Sequence, residues 1–131
     1  MIKKERTYSI EQSYFIIYEF LSLYWFEIAK YKERMNDSFT LVTIISVMDP
    51  IDIENPIPVD PTKYEDWIKV VGLTCGKSNN LTCMEIFNGM ISYLEYHIKE
   101  FNIDVRDVVE DLKYNFNNKY LEKWNKITKL T

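Results

Sequence analysis

Leu81-Thr82-Cys83-Met84-Glu85-Ile86-Phe87-Asn88-Gly89-Met90-Ile91-Ser92-Tyr93-Leu94-Glu95-Tyr96-His97-Ile98-Lys99-Glu100-Phe101 decides the fold class. Thr82 and Glu85 have capping-box spacing, in which a hydroxyl takes a first-turn N–H and a carboxylate returns to the N-cap N–H. Leu81 and Ile86 stand at the two positions of the accompanying hydrophobic staple. Met84, Phe87, Ile91, Leu94, Ile98 and Phe101 then recur in alternating steps of three and four, which keeps them on one helical face.

A similar plan opens the chain. Ser9 and Gln12 form a second capping-box pair, and Ile10, Tyr14, Ile17, Leu21, Tyr24, Ile28 and Tyr31 repeat the spacing. The expected helix runs from about Ile10 to Met35. Phe15, Phe20, Leu23, Trp25 and Phe26 widen its apolar surface beyond one stripe, as expected of a central helix or of one that carries an extra contact face. Setting Phe20-Leu21 against Tyr93-Leu94 also aligns Ser9 with Thr82, Gln12 with Glu85, Tyr14 with Phe87, Ile17 with Met90 and Glu27 with Glu100. The chain therefore reads as two pseudo-repeated helical hairpins with Asp49 to Asn80 as the crossover.

Between the long helices, Asn36-Asp37-Ser38 breaks the pattern and can cap a helix from Phe39 to Met48. The β-branched residues there leave a strand as the alternative. Asp49 to Val59, with Pro50, Pro56 and Pro58, reads as an extended loop. Asp60-Pro61 is an N-cap with proline at the first helical position, opening a short helix through Tyr64, Trp67, Ile68 and Val71 that Gly72 is expected to stop. Asn102 to Asp104 breaks and recaps. Val105, Val108, Val109, Leu112, Phe116, Tyr120, Trp124 and Ile127 predict helix to near the C-terminus, with a break near Asn115 to Asn118. The fold class is all-α: one domain over residues 1–131, a compact bundle of five to six helices.

Composition agrees. Of 131 residues, 15% are aromatic and only three are glycine, which suits long helices with large flat side chains between them. The net charge of -4 disfavours a nucleic-acid partner, since phosphate contacts need a basic stripe. No run of 18 apolar residues exists to span a membrane, and Met1 to Arg6 lacks the apolar run of a leader. The expected compartment is the cytoplasm, with Cys75 and Cys83 reduced.

Residues with catalytic potential are sparse. His97 is the chain's one histidine, with Tyr93 and Glu100 one turn away on either side. That pair could do acid–base work, but a surface or half-buried histidine is the simpler reading. Cys75 and Cys83 lack zinc-site spacing, Gly72 and Gly76 match no phosphate loop, and Asp49-Pro50-Ile51-Asp52 has the wrong residues for a calcium loop. No catalytic residue, cofactor or metal is expected.

Charge placement is more informative. Asp49, Asp52, Glu54, Asp60, Glu65 and Asp66 are opposed only by Lys63, so the chain's net acidity gathers in the crossover. A second acidic turn holds Asp104, Asp107, Glu110 and Asp111 against Arg106, and the C-terminus is basic through Lys119, Lys123, Lys126 and Lys129. Helix dipoles account for acids in first turns, such as Asp60, Glu65, Asp66, Asp104 and Asp107. They do not account for Asp49, Asp52 and Glu54 in a proline-bearing loop, and a long charged loop suggests a binding surface for a basic partner. The candidate binding residues are Asp49, Asp52, Glu54, Asp60, Glu65, Asp66, Asp104, Asp107 and Asp111.

Asp60-Pro61-Thr62-Lys63-Tyr64-Glu65-Asp66-Trp67-Ile68 resembles the Asp-Pro-x-x-aromatic-x-Asp-Trp signature of some small helical immunity proteins of contact-dependent growth inhibition systems. Phe20-Leu21-Ser22-Leu23-Tyr24-Trp25 is similar to an element upstream of that signature, and Leu81 to Tyr96 to the helix after it. The likeness covers about Tyr14 to Leu112. This chain has Ile57-Pro58-Val59 where the family pattern has a loop glycine, and Thr62 where it has alanine. The resemblance implies a non-catalytic protein that neutralises a toxin, commonly a nuclease, whose active site is basic because it holds phosphates. Trp67 would be either an aromatic anchor for that partner or part of the core. A helical adaptor for another basic protein is the rival reading, and an enzyme built around His97 is a third.

Overall fold

The computed structural model describes residues 6–28, 36–50 and 60–131. Six α-helical segments are found among them: α1 (Ile10–Glu27), α2 (Asn36–Met48), α3 (Pro61–Cys75), α4 (Cys83–Phe101), α5 (Arg106–Asn115) and α6 (Leu121–Leu130). A π-helical turn, Phe116–Tyr120, carries α5 into α6 without a break. The all-α bundle expected from the periodicity is the observed architecture.

Both predicted capping boxes form. Ser9 Oγ accepts the Gln12 N–H while Gln12 Oε1 accepts the Ser9 N–H; Thr82 and Glu85 do the same for α4. The staple residues Leu81 and Ile86 are both fully buried. Immediately before the boxes, Tyr8 and Leu81 exchange two backbone hydrogen bonds of 2.8 and 2.9 Å as an antiparallel pair. These two residues are equivalent in the alignment that sets Ser9 on Thr82, so their pairing places a local two-fold axis between the starts of α1 and α4.

Burial follows the same alignment. Ser13, Tyr14, Ile16, Ile17, Phe20, Leu21 and Tyr24 are the buried residues of α1, and they fall on Ile86, Phe87, Gly89, Met90, Tyr93, Leu94 and His97, all buried in α4. Each of these helices then packs on its successor, α1 on α2 and α4 on α5. The unduplicated α3 packs chiefly on α4, while α6 packs on α1. Phe20, Phe87, Phe116 and Trp124 lock the centre through tilted and edge-on ring contacts, with centroids 4.1 to 6.3 Å apart.

Four local expectations are corrected. Helix α1 stops at Glu27 rather than Met35. The next helix starts at Asn36 rather than Phe39, and the strand alternative fails because this segment is helical. Gly72 does not end α3, which runs on to Cys75, where Gly76 caps it in the left-handed conformation at φ 74°. The break near Asn115 to Asn118 is instead the π turn, in which the Leu121 N–H reaches back to Phe116 O. Its cause lies in the spacing. Leu112, Phe116, Tyr120, Trp124 and Thr128 are all buried and each lies four residues after the last. On an ideal α-helix such steps drift by about 40° each, and one wider turn rewinds the drift so that all five face the core.

Candidate protein-binding face

Tyr14, in the second turn of α1, joins three elements. Its hydroxyl donates to Met48 O at 2.9 Å, and its ring meets Tyr64 of α3 edge-on at 5.2 Å. Val47 O accepts the Asp60 N–H at 3.3 Å, so residues on either side of segment 51–59 are tied together. Asp49, exposed after α2, and Asp60, the N-cap of α3, therefore share one face. Both carboxylates act electrostatically on Tyr14, whose pKa is raised, first by burial and then by these charges. Half-buried Tyr18 is raised by burial and by its hydrogen bond to Asp49, and Tyr64 by burial and by Glu11. Burial and Asp49 together lift Glu19 above the usual carboxylate range. The face thus holds Glu11, Glu19, Asp49 and Asp60 around Tyr14, Tyr18 and Tyr64.

Glu11 and Glu19 were not among the residues expected from sequence. They lie on α1, far in sequence from the crossover, and only the packing of α2 and α3 on α1 brings them to Asp49 and Asp60. Lys63, the one basic residue between Asp49 and Asp66, turns inward and is buried between α3 and α4. Its ammonium lies 3.2 Å from His97 Nε2 and 4.1 Å from the centre of the Phe101 ring.

The other expected binding residues have different positions. Asp52 and Glu54 lie outside the described residues. Glu65 is exposed on α3, while Asp66 leans toward α4, where Oδ1 accepts the Tyr96 hydroxyl at 3.3 Å and Oδ2 is buried without a hydrogen-bond partner. Asp60 also works locally: it accepts the backbone N–H and the hydroxyl of Thr62, which holds its pKa below the usual range. Asp104 is pulled down to about 2 by its side-chain hydrogen bond with Arg106 and by the Arg106 backbone N–H. Asp107 is exposed in the first turn of α5. Asp111 is partly buried and accepts from Tyr24 at 2.7 Å, from Asn115 at 2.7 Å and from Tyr120. Its place is inside the joint between α1 and the π turn.

The signature-like segment is used for structure. Asp60 caps, Pro61 opens the helix, and Trp67 is fully buried, its indole N–H donating to Ser13 Oγ at 3.0 Å. Trp67 is therefore core and not an exposed anchor. His97 is likewise fully buried rather than at the surface, and its near neighbour is Lys63 rather than Glu100, which is exposed. Among the described residues no group of three or more His, Cys, Asp or Glu is placed to hold a metal ion, and no helix is long and apolar enough to cross a membrane. No protein-family model matches the chain, and comparison with curated proteins and with solved structures found no match.

Proposed function

We propose that this chain is an immunity protein, which binds a cognate antibacterial toxin and neutralises it by laying an acidic face over a basic site. The observation that carries the reading is the convergence of Asp49 and Asp60 with Glu11 and Glu19 around tyrosines 14, 18 and 64. Carboxylates of one sign crowded on a surface repel each other, and a partner bearing arginine or lysine relieves that repulsion on contact. Of these, Tyr18 and Tyr64 are half-buried, while Tyr14 lies beneath them; half-buried tyrosines add flat area at low entropic cost and stack on guanidinium groups. A nuclease offers such a cationic site because it must hold phosphates. The resemblance of Asp60 to Ile68 to the immunity signature supports the same reading from sequence.

Co-expression with the product of the adjacent reading frame, followed by affinity capture, tests the proposal. A stable complex, together with survival of cells that make that product only when this chain is also present, is the expected result. A complex without protection would favour the adaptor reading. Absence of both would remove the proposal.

A further inference from the structure

Lys63 stands in the first turn of α3, just after Asp60 of the acidic face, yet it is only 7% exposed. Burying an ammonium is costly unless a partner compensates it, and among the described residues no carboxylate forms an ion pair with it. What holds it comes from α4: the Nε2 acceptor of His97 and the ring face of Phe101. A closed cycle of hydrogen bonds fixes that acceptor. The Tyr93 hydroxyl donates to Lys63 O at 2.9 Å, His97 Nδ1 donates to Tyr93 O at 2.8 Å, and Lys63 Nζ donates to His97 Nε2. Tyr93 and His97 thus set the backbone and the side chain of Lys63 together.

The other place open to this side chain is outside. A lysine at this point of the helix, once released, swings on its flexible stem toward the Asp60 carboxylate, which its charge already reaches from within. There it would offset the charge that attracts a cationic partner. We infer that His97 is a positioning residue for the acidic face: it keeps the Lys63 ammonium inside the bundle, and so off Asp60 and the carboxylates beside it. The effect on binding rests on the proposed function; the retention of Lys63 does not.

Amine acylation of the free chain at neutral pH, read lysine by lysine by mass spectrometry, tests the retention. Stopped-flow association with the product of the adjacent reading frame tests its consequence. In the wild type, Lys63 should react at least about tenfold more slowly than exposed Lys126. His97→Leu removes the acceptor, so acylation of Lys63 should rise about tenfold and the low-salt association rate constant should fall about twofold or more. His97→Gln, whose amide oxygen takes the place of Nε2, should match wild type in both. Adding Lys63→Met to His97→Leu should restore association, which a purely structural role for His97 would not allow. Where His97→Leu does not fold by circular dichroism, Phe101→Leu, at a half-exposed position, removes the ring face and should raise Lys63 acylation about threefold. Lys63 as reactive as Lys126 in the wild type, protection that survives these substitutions, or slowed association that Lys63→Met fails to rescue would each overturn the inference. Absence of any complex with the wild-type chain would count against the proposed function instead, and acylation would then decide the retention of Lys63 by itself.

Discussion

The Lys63 ammonium lies 3.2 Å from Nε2 of His97, and both side chains are buried. An ammonium can only donate, so Nε2 must accept. Nδ1 lies 2.8 Å from Tyr93 O and must therefore carry the ring's proton. The arrangement requires a neutral imidazole, and a protonated one would set two cations side by side.

His97 should accordingly resist protonation. Burial, with Lys63 adding to it, lowers its pKa from 6.5 to about 4. The unfolded chain binds this proton near pH 6.5 and the folded chain only near pH 4. The stability His97 confers is then complete above pH 6.5 and lost as pH falls toward 4, a loss on the order of 3 kcal/mol. With a single histidine in the chain, its imidazole resonances can be followed through a pH titration without ambiguity. They should stay in the neutral form at pH 5.5, where half-protonation near pH 6.5 would contradict the geometry.

Two glycines in helices should respond oppositely to alanine. At Gly72 an added Cβ meets nothing within 4 Å, so the gain in helix propensity stands alone and Gly72→Ala should stabilise by about 1 kcal/mol. At Gly89 the same Cβ would lie 3.0 Å from the Trp67 ring and 3.3 Å from Val71. Trp67 is fully buried and held by Ser13, so it cannot yield, and Gly89→Ala should lower stability by about 1–3 kcal/mol. Urea unfolding of the pair checks both signs.

Asp111→Ala should act on folding rather than on binding. It strips an acceptor from the hydroxyls of Tyr24 and Tyr120 and from the Asn115 amide, at a cost of about 2 kcal/mol or more. Glu110→Ala, one residue earlier and exposed, should change stability by less than about 0.5 kcal/mol. Equal effects in thermal unfolding would show that Asp111 has no internal role.

The parts of this fold that were legible in the sequence are those fixed by near neighbours. Ser9 with Gln12, Thr82 with Glu85 and Asp60 with Pro61 each specify a helix start within a few residues, and each formed where it was read. Helix ends were less legible because tertiary packing decides them. The apolar series from Ile10 continues to Tyr31, yet α1 stops at Glu27, and a glycine with open space around it let α3 run on. The π turn did leave a trace, the repeated four-residue step from Leu112 to Thr128, but the weak helix propensity of the asparagines points instead to a simple break. The binding face was only half visible. Asp49 and Asp60 announce themselves by charge, but Glu11 and Glu19 look like ordinary solvated positions on a helix until α2 and α3 are laid against it. Lys63 shows the opposite failure, since a lysine among acids reads as solvated and its burial depends on His97 and Phe101 arriving from α4.

The acidic face is tested most directly by stopped-flow association with the product of the adjacent reading frame, using wild type and a variant carrying Glu19→Lys and Asp49→Lys. Both positions avoid the carboxylates at Asp66 and Asp111 that serve the fold, and Asp60 is left in place as a cap. Association of the wild-type chain should slow steeply with added salt, and the double reversal should lower the low-salt rate constant by about tenfold or more while leaving the unfolding midpoint nearly unchanged. A rate constant indifferent to both salt and the two reversals would contradict the account.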